Sequence, residues 1–151
     1  MILSALVLAA ATGASPFFDD FGGAWTCGNA SYHEQWDIHR DGNNPWIAVV
    51  YGDEANPDGH AVVGWLPQAK TWVYDDFHAD GAYAQLTAEA PQDHVWVWTG
   101  TYFPRDGTPD PNPHITWKLM PDGTIARTFA KRTGSTITTM GSDTCRRAAT
   151  P

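Results

Sequence analysis

The stretch TWVYDDFHADGAYAQLT, residues 71–87, decides the fold. Trp72 and Tyr74 alternate with Val73, the period-two pattern of a pleated strand with one face turned to a core. Asp80-Gly81 follows, and Asp-Gly between extended runs is the strongest short-range hairpin signal, because the turn needs positive φ. Tyr83–Thr87 then returns as a second extended run.

The same unit recurs along the chain. Asp-Gly stands again at 41–42, 58–59, 106–107 and 122–123. Further breaks fall at 66–70, 89–93 and 132–134, and the segment Pro104–Pro113 contains four prolines, which bars it from a strand interior. Between the breaks lie ten short runs rich in Trp, Tyr, Val, Ile and Thr, residues that suit a pleated surface. They are Ala24–Cys27, Ser31–His39, Trp46–Tyr51, Ala61–Leu66, Thr71–Phe77, Tyr83–Thr87, His94–Phe103, Ile115–Leu119, Thr124–Lys131 and Ser135–Met140. No mature segment carries a 3.6-residue apolar period over ten residues, and no fixed-length repeat is present. The expectation is an all-β chain, an antiparallel up-and-down β-barrel of about ten strands, because closure covers the apolar face and removes the edges. A β-sandwich is the alternative.

Composition narrows the function classes. The chain has 151 residues, enough for one domain, with 42% hydrophobic residues, 13% aromatic and eight Trp, which excludes a disordered polar chain. Lys+Arg is 9 against Asp+Glu 17, a net charge of −8, so nucleic acid and anionic membrane surfaces are poor partners. Residues 1–14 form an apolar, small-residue segment of signal-peptide length, too short to span a bilayer, although its start lacks Lys and Arg. The expected organisation is a signal peptide over 1–14 and one barrel domain over 15–151, secreted or periplasmic, without a membrane span. Oligomeric state is left open.

Cys27 and Cys145 are the two cysteines. In an exported protein they read as a disulfide. It would tie the first strand region to the last, where an up-and-down barrel closes, and so favours the barrel over the sandwich.

Gly23-Ala24-Trp25 on the first strand resembles the Gly-x-Trp signature of lipocalins and their calycin relatives, and the Trp-rich meander is similar to the nitrobindin-like branch. The resemblance implies a lipocalin-like barrel with a ligand-binding habit. It implies that Trp25 plugs the barrel floor with a basic residue, Arg146 or Arg147, packed over it. Two features depart from it. Gly28-Asn29-Ala30 leaves no room for the lid helices of fatty-acid-binding proteins, and the late strands hold no His to ligate haem. No cofactor is expected.

If the apolar faces point inward, Trp36, Trp72, Tyr74, Trp96, Trp98 and Trp117 line one lumen, suited to a flat apolar or aromatic ligand or else simply filled by these rings. Arg127 falls on the same face as Ile125 and Phe129. A buried guanidinium needs a partner, either a ligand anion or an internal carboxylate such as Glu34, unless the strand is inverted and Arg127 is solvated. Asp76, His78 and Asp80 share a strand face and are weak candidates for a metal, with solvated hairpin residues the commoner outcome and His78 also suited to hydrogen bonding at the barrel mouth. No nucleophile elbow, phosphate loop or His-Glu-x-x-His motif occurs, and no catalytic residue is assigned. Three functions stay open. The first is a small-molecule-binding barrel, with an apolar or aromatic ligand that is either neutral or anionic. The second is a barrel enzyme of isomerase, cyclase or decarboxylase type using His and carboxylate at the mouth. The third is a filled barrel acting as a surface interaction or inhibitor module.

Overall fold

The computed structural model describes residues 15–30, 32–40, 42, 45–52 and 57–149. The proposed signal segment 1–14 lies outside them. A short helix α1 (Pro16–Phe21) leads into ten strands: β1 (Gly23–Gly28), β2 (His33–Arg40), β3 (Ile47–Gly52), β4 (Pro57–Leu66), β5 (Thr71–His78), β6 (Tyr83–Ala88), β7 (Val95–Phe103), β8 (Pro113–Leu119), β9 (Ile125–Thr133) and β10 (Thr136–Arg147). Each pairs antiparallel with its sequence neighbour, and β10 returns to pair with β1, so the sheet closes into a barrel. This is the lipocalin-like architecture, and the sandwich alternative is set aside.

Each of the ten expected strands is present, with shifted ends. The largest shift is in β10, which runs on past Met140 to Arg147. Gly141, Ser142 and Asp143 are poor strand formers, and tertiary pairing overrides their propensity. Asp143 stands opposite Arg127 and Cys145 opposite both Ile125 and Cys27. A register shift between Thr139 and Gly141 absorbs the irregularity. Beyond it, residues 131–142 of the β9–β10 hairpin are all exposed, so this ribbon stands clear of the core.

Cys27 and Cys145 are register partners and form a disulfide across the β1–β10 seam. It joins residues 118 apart in sequence, which restricts the unfolded chain by about 4–5 kcal/mol in the loop-entropy description.

Helix α1 was not legible as a period, because six residues give it fewer than two turns. Its local signals are a Ser15 hydroxyl accepting from the Phe18 N–H and Pro16 in the first turn. Phe17 and Phe21, four residues apart, face the barrel and are fully buried. The Phe17 ring lies 5.3 Å from Trp96 and 5.9 Å from both Trp98 and Trp117. The helix therefore caps one end of the barrel, the floor, which also carries the turns 67–70, 89–94 and 120–124. The turns 79–82, 104–112 and 134–135 lie at the opposite end, the mouth.

Three contacts fasten the floor. The Trp25 Nε1–H donates to the Phe21 carbonyl at 2.7 Å. The Arg147 guanidinium covers the Trp25 ring at 3.9 Å and donates to the Gly22 carbonyl. Gly23 sits at φ +110°, which favours glycine, and a Cβ there would stand 2.5 Å from Arg147 Nη1 and displace the guanidinium from its place over Trp25. Of the two terminal arginines it is Arg147 that covers Trp25. The third contact centres on Asp20, buried inside α1, which accepts from Trp96 Nε1 at 2.9 Å and lies 2.6 Å from His94 Nδ1. His94 is thus a floor residue, held with Asp93 in the left-handed region.

Candidate functional site

The lumen is divided. Its lower half is filled by α1, Trp72 and Trp96, and its upper half holds a cavity of about 260 Å³. The cavity walls are Trp36 from β2, Tyr51 from β3, Tyr74, Asp76 and His78 from β5, Ala84 and Leu86 from β6, Trp98 and Tyr102 from β7, Ile115 and Trp117 from β8, and Arg127 and Phe129 from β9, with Glu34 and Pro113 at the edge. Strand alternation places them, since each strand delivers every second side chain inward. The volume falls just under the range of about 300–1,000 Å³ usual for small-molecule pockets, which fits a bicyclic rather than a long-chain ligand.

Five of the seven residues expected to bind a ligand border this cavity: Trp36, Tyr74, Trp98, Trp117 and Arg127. Trp72 and Trp96 do not. They pack on each other at 5.1 Å beneath it, and Trp96 is sealed by Phe17 and Phe21. The reason is the helix, which takes the lower lumen that an open barrel would leave to these rings. The wall rings interlock: Trp36 meets Trp117 at 5.3 Å, and Tyr74 meets Trp117 at 5.6 Å and Trp98 at 5.4 Å. Such pairs add about 0.5–1.5 kcal/mol each beyond area burial and hold the wall in one shape.

Arg127 is buried on the inward face, so the solvated alternative is excluded. Its guanidinium is gripped by Asp143 on the neighbouring strand, Nε to Oδ1 at 2.7 Å and Nη2 to Oδ2 at 2.6 Å. Glu34, the expected internal partner, forms a looser ion pair at 3.7 Å, while Asp143 makes the bidentate contact. Asp143 was missed because the extension of β10 was missed, and only that extension brings it opposite Arg127. Tyr32 also donates its hydroxyl to Asp143. Arg127 lies 4.4 Å over Trp36 and 5.5 Å from Phe129. Burial alone would lower the guanidinium pKa, but the Asp143 hydrogen bonds and charge outweigh it and hold it above its ordinary value.

At the mouth stands a second polar group. The Tyr51 hydroxyl donates to Asp76 Oδ1 at 2.8 Å and lies 3.4 Å from His78 Nδ1. His78 Nε2 is 3.4 Å from Asp76 Oδ2. The hydrogen bond to Asp76 raises the His78 pKa above its usual 6.5 against the opposing effect of burial. Burial and the Asp76 charge push the Tyr51 phenol far above its usual range, so it stays a neutral donor. Gly59, the cross-strand partner of Tyr51, makes room: a Cβ there would lie 2.5 Å from the Tyr51 hydroxyl. Asp80 is turned to its own hairpin, where it accepts from the Ala82 N–H at 2.9 Å. Among the described residues no group of three or more His, Cys, Asp or Glu side chains could hold a metal ion. Sequence reasoning also missed Tyr51 and Tyr102. Their inward positions were readable from alternation, Tyr51 continuing the phase of Ile47 and Val49, and Tyr102 that of Trp96 and Trp98.

Among the described residues no helix is long and apolar enough to cross a membrane. The chain matches no family model. A search of the curated proteins also returns no match.

Proposed function

We propose that the protein is an exported small-molecule-binding barrel of calycin type that holds a flat, apolar or aromatic ligand in the upper lumen. The single observation that carries this reading is the aromatic cavity left above a floor that is otherwise packed solid. A barrel needing only a core would fill both halves, as small barrels do. The calycin assignment is supported by Gly23, Trp25 and Arg147 acting together at the floor. Export is supported by the leader-like composition of residues 1–14 and by the disulfide. The pairing of Arg127 with Asp143 weighs against an anionic ligand, because the bidentate face of the guanidinium is already engaged. The test is native mass spectrometry of protein recovered from the export compartment. A bound species of about bicyclic size, absent from a variant with Ala84→Phe in the cavity wall, supports the reading. Identical spectra for the two proteins contradict it.

A second reading has its own observation. His78 and Asp76 stand together beside Tyr51 in a cleft, an arrangement able to move a proton to or from a bound molecule. It describes a barrel enzyme of isomerase, cyclase or decarboxylase type. Turnover that requires His78 separates it from simple binding.

A further inference from the structure

The cavity has an uneven charge. Arg127 is matched by Asp143 through two hydrogen bonds, with Tyr32 donating to the same carboxylate. That leaves Glu34 and Asp76 on the wall with one titratable cation, His78. The sum over these five groups is −1 with His78 protonated and −2 with it neutral. The chain as a whole carries −8, so its field deepens this bias.

Asp76 is 14% exposed at its side chain and sits where the cavity meets solvent. Tyr51, Tyr102 and Trp36 line the cavity around it, and Tyr51 stacks on Trp36 at 4.9 Å. Asp76 accepts from Tyr51 and has His78 at 3.4 Å, but its carboxylate keeps lone pairs for an organic cation, which the net negative charge of the lumen attracts. A second, independent observation points to a ligand. Trp98 is 1% exposed and lines the same cavity, yet its Nε1–H has no acceptor among the described residues. A buried donor of this kind is costly when unmet, and a ligand bearing an acceptor would meet it.

We propose that the physiological ligand is a cationic aromatic amine that also carries a hydrogen-bond acceptor for Trp98, with its flat body against Trp36, Tyr74 and Trp117 and its ammonium at Asp76. This rests on the reading of the cavity as a ligand site. A carboxylate ligand is disfavoured on the same grounds, since it would enter beside Glu34 and Asp76 and find Arg127 engaged.

The test uses three probes of one size in isothermal titration at pH 7.5: naphthalen-2-ylmethylamine, naphthalen-2-ylmethanol and 2-naphthoate. The amine should bind on the order of ten- to a hundredfold tighter than the alcohol, as for a hydrogen bond to a charged group, with naphthoate weakest. In Asp76→Asn the amine-to-alcohol ratio should fall towards one, with near-UV circular dichroism checking that the variant is folded. The wild-type ranking carries the test even if that variant does not fold. Binding of the alcohol with no preference for the amine, or naphthoate as the tightest probe, overturns the proposal and leaves the ligand-site reading standing. A preference that persists in Asp76→Asn overturns the assignment to Asp76. Binding of none of the three contradicts the ligand-site reading itself.

Discussion

Arg127 and Asp143 face each other across β9 and β10 and share two hydrogen bonds of 2.7 and 2.6 Å inside the barrel wall. This pair fixes the register of the last hairpin at the level of the cavity and neutralises Arg127 inside the lumen. Removing one member leaves the other buried without its countercharge. Asp143→Ala should therefore cost about 3–5 kcal/mol in urea unfolding, and Arg127→Met a similar amount. The double variant Arg127→Met/Asp143→Leu should recover most of the loss, because no buried charge is then left over. Additive losses in the double variant would show that the pair is not coupled.

The floor should be as demanding. Phe21 is fully buried between Phe17, Trp96 and Trp117. Phe21→Ala should cost about 3–5 kcal/mol, the usual range for a core aromatic. A loss below about 1 kcal/mol would mean that α1 is not a fixed plug.

Reduction of Cys27–Cys145 frees a loop whose ends are 118 residues apart. Stability should fall by about 4–5 kcal/mol, which for a domain of this size lowers the melting temperature on the order of 10–15 °C. Scanning calorimetry with and without reductant measures it, and an unchanged melting temperature would contradict the closure role.

These outcomes separate what the sequence showed from what it hid. The Asp-Gly turns at 80–81 and 122–123 and the Trp72/Tyr74 and Trp96/Trp98 alternations made ten strands and a barrel legible, since both signals are local, whereas Asp58-Gly59, read as a break, lies inside β4. Trp25 was legible through the resemblance of Gly23-Ala24-Trp25 to the Gly-x-Trp signature, and the disulfide because the chain has two cysteines at opposite ends of the barrel sequence. Helix α1 was not, because Phe17 and Phe21 make too short a pattern to register as a period. Its insertion changed the meaning of Trp72 and Trp96, from cavity wall to floor packing. Asp143 was hidden by the weak strand propensity of Gly141–Asp143, so the bidentate partner of Arg127 could not be seen. The union of Tyr51, Asp76 and His78 depends on strand register at the rim, which composition does not encode.

The mouth should respond to pH with a definite sign. The His78 pKa is raised by its hydrogen bond to Asp76. Its contribution to stability is therefore fully present below the unfolded value near 6.5 and is lost as pH rises through the higher folded value. Proton NMR of the imidazole should show a midpoint above 6.5 in the wild type and a lower one in Asp76→Asn. A wild-type midpoint at or below 6.5 would contradict the contact.

The claim on which the account stands is that the upper lumen is an open binding site. Titration of the wild type and of Ala84→Phe with naphthalen-2-ylmethanol, followed by tryptophan fluorescence, tests it most directly. Ala84 is buried in the cavity wall, so the added ring occupies the space the probe needs. The account predicts saturable one-to-one binding in the wild type, weakened at least about tenfold in the folded variant. Equal binding by both proteins, or none by the wild type, would contradict it.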